Sequence, residues 1–257
     1  MPPYKKLNLI FSILLAGLIA LDLSFSISNW WYVVLLALYL ILHVAGSFIL
    51  SAGFFLSVKS RGNRNEIKIA LTFDDGPIPG NTDKVLDILK NYGVKATFFC
   101  IGWRIKESPE LLKRIIREGH LVGNHTYYHK SIFGLLPAKS VSRELQDTDR
   151  QIEEIFGKKP RFFRPPYGVT NPMIANAVAA GNYTTIGWSI RSFDTIIKNP
   201  ARLFKRVTTP ITAGDIVLFH DYSDSMIKIL PDFIQYVQQK GLQVIPLNEL
   251  LNEEPYR

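Results

Sequence analysis

The chain has 257 residues, 47% of them apolar and 20% charged, a formal charge of +8 and a single cysteine, Cys100. That length holds one domain of about 200 residues plus an appendage. A lone cysteine excludes an intrachain disulfide framework and a cysteine-built zinc site; the basic balance comes without any nucleic-acid module or aromatic-basic stripe, so nucleic acid is not an expected partner, and no protein partner is inferable.

From Leu7 to Leu56 the only ionisable residues are Asp22 and His43. Two apolar pieces, residues 9–26 and 30–56, part at Ser26-Ile27-Ser28-Asn29 and each approach or exceed the roughly 20 residues that a bilayer core requires. They predict a transmembrane hairpin within an anchor spanning residues 1–58, with Trp30, Trp31 and Tyr32 at an interface. The alternative is a cleaved signal peptide led by Lys5 and Lys6, against which the second apolar piece argues. Asp22 and His43 read as residues facing the partner helix. Basic residues flank the hairpin on both sides, Lys5 and Lys6 before it and Lys59, Arg61, Arg64 and Lys68 after it. Two spans put both flanks on one side, which the positive-inside rule makes the cytoplasm, whereas a single span would put the rest of the chain opposite the N-terminus.

After a basic linker at 59–66, short apolar runs alternate with amphipathic ones. Strands are predicted at 67–73, 96–101, 120–123, 161–164, 184–188, 215–219 and 243–245, and helices at 82–92, 109–118, 138–156, 172–180, 200–208 and 225–240. Gly93 and Gly119 stand where helix C-terminal caps belong. About seven βα units imply an α/β fold with a parallel sheet, better suited to an irregular (β/α)7-type barrel than to an open sheet. The domain is expected over 67–251, with a tail at 252–257.

The conspicuous polar residues fall at the carboxyl ends of these strands, where such a barrel gathers its active site. Asp74-Asp75-Gly76-Pro77 places two acids on a tight turn. His125 and His129, four residues apart, would share a face if their segment made one helical turn. With one aspartate they give three ligands and an open position, the arrangement of a hydrolytic rather than a structural metal site, with zinc the default and cobalt, nickel or manganese compatible with the same N and O donors. Arg164 ends a buried strand and therefore needs a carboxylate, Asp74 or Asp194. The prolines of Arg164-Pro165-Pro166-Tyr167-Gly168 fix where the Tyr167 amide points. His220 closes an apolar run and reads equally as a core histidine or a general acid. His120 reads as structural.

Together these strings resemble the polysaccharide deacetylase family, the carbohydrate esterases built on the NodB homology domain, over Ile67 to Leu251. The resemblance implies a metal-dependent hydrolase that removes N-acetyl groups from a glycan (peptidoglycan, a chitooligosaccharide-like chain or a lipid-linked amino sugar), and the apolar hairpin adds a location in a bacterial plasma membrane. It implies Asp74 as base, Asp75, His125 and His129 as metal ligands, Arg164 as the residue that orients the base, the Tyr167 amide facing the oxyanion and His220 as acid. Trp188-Ser189-Ile190-Arg191-Ser192-Phe193-Asp194-Thr195 keeps the family's aspartate but has Thr195 where a tryptophan is usual. Asp194 can still pair with Arg164. An O-acetyl glycan esterase or other amide hydrolase of the same fold, and a silent glycan-binding domain, are the alternatives; the latter predicts loss of base or ligand, and all are present.

Overall fold

The computed structural model describes all 257 residues. The apolar N-terminus forms two helices, α1 (Pro3–Phe25) and α2 (Trp30–Phe48), each long and apolar enough to cross a membrane. Helix α2 stops at Phe48 rather than Leu56. Gly53 adopts a left-handed backbone at φ 58°, which turns the chain back so that Phe54 covers Gly46, where no side chain is in the way. The polar side chains of the hairpin pair across it. Asn8 Oδ1 accepts from Tyr39 Oη at 3.2 Å and lies 3.1 Å from His43 Nε2, while Asp22 accepts from the Ile27 amide at 2.9 Å and from Tyr32 Oη at 3.2 Å. Hydrocarbon offers polar atoms no other partners, so pairing of this kind is what two helices crossing a membrane would require.

Nine strands follow in one curled, wholly parallel sheet: β1 (Val58–Lys59), β2 (Lys68–Asp74), β3 (Thr97–Cys100), β4 (Leu121–Asn124), β5 (Phe162–Phe163), β6 (Thr184–Ile186), β7 (Ile190–Arg191), β8 (Ile216–His220) and β9 (Gln243–Val244). Their order is β1-β6-β5-β4-β3-β2-β8-β7, with β9 on the far end of β2. Helices connect them: α3 (Thr82–Asn91), α4 (Gly102–Glu107), α5 (Pro109–Arg117), α6 (Ala138–Phe156), α7 (Pro172–Ala180), α8 (Pro200–Thr208), α9 (Asp224–Gln239) and α10 (Leu247–Leu251). This is the irregular α/β barrel expected from the alternation. The short elements β7, α4 and α10 are not among those predicted, and both edges of the expected domain also differ. The supposed linker at 59–66 begins inside the sheet, because Val58 and Lys59 pair with Thr185 and Ile186. The supposed tail is docked: the Val122 amide donates to Tyr256 Oη at 3.1 Å and Arg257 pairs with Asp149 at 2.6 Å.

The two-residue period of the strands sorts their side chains. Ile69, Leu71 and Phe73 of β2 face outward into a 29-residue core shared with α3, α5, α8 and α9. Ala70 faces inward with Phe99, Phe162, Ile186 and Ile216, and α10 closes this inner cluster with Leu247 and Leu250. Thr72 and Asp74 lie on the same inward face, above Ala70, so the apolar packing below fixes the height at which the first polar side chains emerge.

Candidate active site

Asp74 ends β2 and stands in register with His220 at the end of β8. Its carboxylate is 3% exposed, and Oδ1 accepts from Arg164 Nη1 at 2.7 Å. Arg164 leaves β5 wholly buried, and every nitrogen of its guanidinium finds an acceptor: Nη1 also reaches Thr72 Oγ1 at 2.8 Å, Nη2 the Gly187 carbonyl at 2.8 Å and Nε the Ile186 carbonyl at 3.3 Å. The guanidinium carbon sits 4.1 Å from the centre of the Phe99 ring. Burial lowers the Arg164 pKa from its ordinary value and the Asp74 charge opposes the drop. One oxygen of Asp74 is thus held while Oδ2 is free toward the cavity.

Asp75 takes a left-handed backbone, φ 75°, and so sends its carboxylate away from that of Asp74. Its Oδ1 lies 3.4 Å from both His125 Nε2 and His129 Nε2, and it is buried without a hydrogen-bond partner. His125 Nδ1 meets the Arg164 carbonyl at 2.7 Å, so that nitrogen carries the proton and Nε2 presents a lone pair. Burial, and then the neighbouring His125, lower His129 to about 4, which leaves it neutral at physiological pH. A carboxylate oxygen and two neutral imidazoles thus face one another, and with His129 in the tautomer that leaves Nε2 unprotonated all three offer a lone pair to one point. A divalent cation fits this donor set, and the three ligand atoms lie within 4.8 Å of one another.

His220 Nδ1 donates to Asp194 Oδ1 at 2.8 Å, and the other Asp194 oxygen accepts the His220 amide at 2.8 Å. Burial acts to lower the His220 pKa, but the bond to Asp194 and its charge outweigh it and the net shift is upward. Asp194 therefore serves His220, and of the two carboxylates open to Arg164 in the sequence it is Asp74 that the guanidinium meets.

These groups surround a cavity of about 280 Å³ lined by Asp74, Asp75, His125, His129, Tyr167 and His220 among others, with Arg164 and Asp194 standing behind Asp74 and His220. Four of the eight non-glycine residues with positive φ line this one cavity: Asp75, His129, Tyr167 and Phe193. Each such residue costs on the order of 1–3 kcal/mol, and strain of this kind concentrates where geometry serves a site. Tyr167, at φ 59°, turns its N–H out of the local hydrogen-bonding pattern, and that amide makes no bond within the chain. Thr195 also lines the cavity, and the aromatic surface there comes from Trp188, Phe193, Tyr167 and Tyr222. Trp188 packs onto Gly168, where a Cβ would fall 2.5 Å from the indole.

The two histidines do not sit on a helical turn. The segment from His125 to His129 is a loop with positive φ at Thr126 and His129, held from below by residues that sequence patterns did not single out. Asn124 Oδ1 accepts the Thr126 amide at 2.8 Å, and Glu144 of α6 accepts the amides of Tyr127 and Tyr128 at 3.0 and 2.8 Å. Glu144 is a buried acid on the apolar face of an otherwise amphipathic helix, the one signal that marked it.

The family model described as polysaccharide deacetylase matches residues 61–186. A Bacillus cereus protein named peptidoglycan-N-acetylglucosamine deacetylase is 36% identical over 200 residues, 73% of this chain and 89% of that protein. Bacillus subtilis PdaA, named peptidoglycan-N-acetylmuramic acid deacetylase, is 32% identical over 200 residues, 76% of each chain. Among solved structures, the Bc1960 peptidoglycan N-acetylglucosamine deacetylase superposes with a TM-score of 0.74 at 28% identity, covering 78% of this chain and 95% of its own. BA3943 of Bacillus anthracis, described as a pseudoenzyme of the carbohydrate esterase 4 family, superposes with a TM-score of 0.72 at 31% identity, covering 77% and 70%. The same fold thus houses proteins named as active and as inactive, and the side chains of the site have to carry the functional argument.

Proposed function

The chain belongs to the polysaccharide deacetylase family, hydrolases of carbon–nitrogen amide bonds, and from that premise we propose that it is a membrane-anchored, metal-dependent enzyme that removes N-acetyl groups from cell-wall-type glycan. The observation that carries the metal requirement is the buried, unpartnered Asp75 Oδ1 facing two imidazole nitrogens at 3.4 Å. Asp75, His125 and His129 would hold the cation, with zinc the natural occupant of two nitrogens and one oxygen. When bound there it supplies Lewis acidity to the acetyl carbonyl and to water.

The chain's own residues divide the remaining work. Asp74, oriented through Oδ1 by Arg164, takes a proton from water through Oδ2 as the water attacks the acetyl carbon. The N–H of Tyr167, a lining residue whose amide is unbonded within the chain, would serve as the donor for the oxyanion, an interaction worth about 3 kcal/mol when well aimed. Protonated His220 gives its proton to the departing nitrogen, which could not leave as an amide anion. Water and amide thereby become acetate and amine. The apolar hairpin and the aromatic residues at its turn support insertion in the membrane, with the catalytic unit beginning at Val58.

The test is acetate release from N-acetylglucosamine oligomers by the full chain in detergent micelles. Release is expected with zinc, absent after chelation, restored on adding zinc back, and lost in Asp74→Asn. Undiminished release from a fully chelated sample would overturn the metal requirement, and no release from folded, zinc-loaded protein would overturn this substrate class.

A further inference from the structure

The charged groups around the active-site cavity are matched with one exception. Asp74 is paired with Arg164, Asp194 with His220, and Asp75 lies between His125 and His129. Arg191 lines the same cavity and takes part in no ion pair. Its guanidinium is held by aromatic faces instead, 5.4 Å from the Trp188 ring centre and 4.9 Å from that of Phe193. Arg206 of α8 lies 4.4 Å from the Phe193 ring centre, donates from Nε to the Arg191 carbonyl at 3.1 Å, and also lacks a carboxylate. Two exposed guanidiniums therefore converge on Phe193, whose left-handed backbone at φ 58° places its ring where they meet.

Resting on the deacetylase reading, we propose that Arg191, backed by Arg206, forms a subsite for an oxyanion carried by the substrate, so that the preferred acetamido sugar is anionic. A guanidinium offers a planar fork that fits a carboxylate or a phosphate through two parallel hydrogen bonds, and stacking on Trp188 and Phe193 fixes that fork before the ligand arrives. The second positive charge of Arg206 so near adds to the attraction for an anion at this place. A neutral homopolymer would gain nothing from Arg191. The oxyanion has two sources, a carboxylate on an ether substituent of the sugar ring or a phosphate at its anomeric carbon, and both present the same chemistry to the fork.

The test measures binding to the full chain in detergent micelles, by calorimetry under chelation to prevent turnover. The probes are N-acetylmuramic acid, N-acetylglucosamine 1-phosphate and the neutral methyl glycoside of N-acetylglucosamine. At least one anionic sugar should bind about ten-fold more tightly than the neutral one, as a charge-assisted hydrogen bond predicts. Arg191→Gln should collapse that ratio toward one, Arg191→Lys should keep part of it, and added salt should shrink it. Preference for only the carboxylate or only the phosphate names the source and supports the subsite in either case. Equal affinity for all three probes, or a preference that survives Arg191→Gln, overturns it. Absence of acetate release beside an intact anionic preference would sink the deacetylase reading alone, because binding and turnover are read separately.

Discussion

Asp74 and Asp75 are neighbours in the chain, yet the left-handed backbone at Asp75 gives them opposite surroundings, one facing a guanidinium and the other two imidazoles. The same division recurs at His220, where Asp194 outweighs burial and raises the pKa above the ordinary 6.5. In the proposed reaction His220 must be protonated, so kcat/KM falls as pH rises through that raised value. Asp194→Asn keeps the shape of the partner but removes its charge, and the basic limb of the pH profile should move to lower pH by about one unit or more, each unit being ~1.4 kcal/mol. A limb that stays in place would remove His220 from the role of acid. The sign carries over to stability: a raised folded pKa gives a contribution present in full below 6.5 and lost as pH rises through the folded value. Arg164→Met tests the other pair. It strands the Asp74 carboxylate in a site 3% exposed, and denaturant unfolding should show a loss of about 3–5 kcal/mol.

At the scale of elements, what the sequence made legible follows from which signals are local. Periodicity located β2, β3, β4 and β8 because each is a run of buried residues flanked by helix signals, and the acids and histidines stood out because they end those runs. Strand β1 has two residues, too few to show a period, and is a strand only because the edge of β6 is there to pair with it. The loop from His125 to His129 escaped for a related reason: its shape comes from Glu144 and Asn124, and Glu144 lies on another element. That dependence is testable. Glu144→Ala leaves two loop amides without their acceptor, and zinc affinity measured on the full chain should fall by roughly 10- to 100-fold, the usual effect of losing a partner that orients ligands. Unchanged affinity would show that the loop holds its shape by itself. Strand β1 predicts a boundary as well. A chain that begins at Ser60 loses β1 together with Leu56, which is buried against Phe133 and Phe163, whereas one that begins at Gly53 keeps both. The shorter chain should melt about 5–10 °C lower, the shift expected from burial worth about 2–3 kcal/mol in a domain of this size.

On the scale of the molecule, the hairpin and the barrel are joined at defined points rather than by a free tether. The Tyr4 amide donates to the Phe54 carbonyl at 3.2 Å, and the Thr170 amide, three residues beyond Tyr167, donates to the Ser47 carbonyl at 3.0 Å. Val44, Ser47 and Phe48 of α2 line a crevice of about 300 Å³ that Tyr167 borders on its other side. The N-terminus, the end of α2 and the mouth of the active site are therefore gathered at one end of the hairpin, and the turn at Ile27–Asn29 is at the other. Lys5 and Lys6 share the barrel end with Lys59 and Arg61, so in the proposed membrane hairpin both termini would lie on one side. Reporters of membrane sidedness fused to the N-terminus and to the C-terminus should then report the same compartment, and a cysteine introduced at Ser28 should label only from the opposite face. The chain should also stay with the membrane after alkaline carbonate washing, as a spanning protein does. Discordant reporters would mean that only one apolar helix crosses, which would carry Tyr4 away from Phe54 and separate α1 from its partners on α2. In that arrangement Asn8 and Asp22 would lose Tyr39, His43 and Tyr32 as partners, and the pairing of polar atoms across the hairpin would have no physical reason to exist.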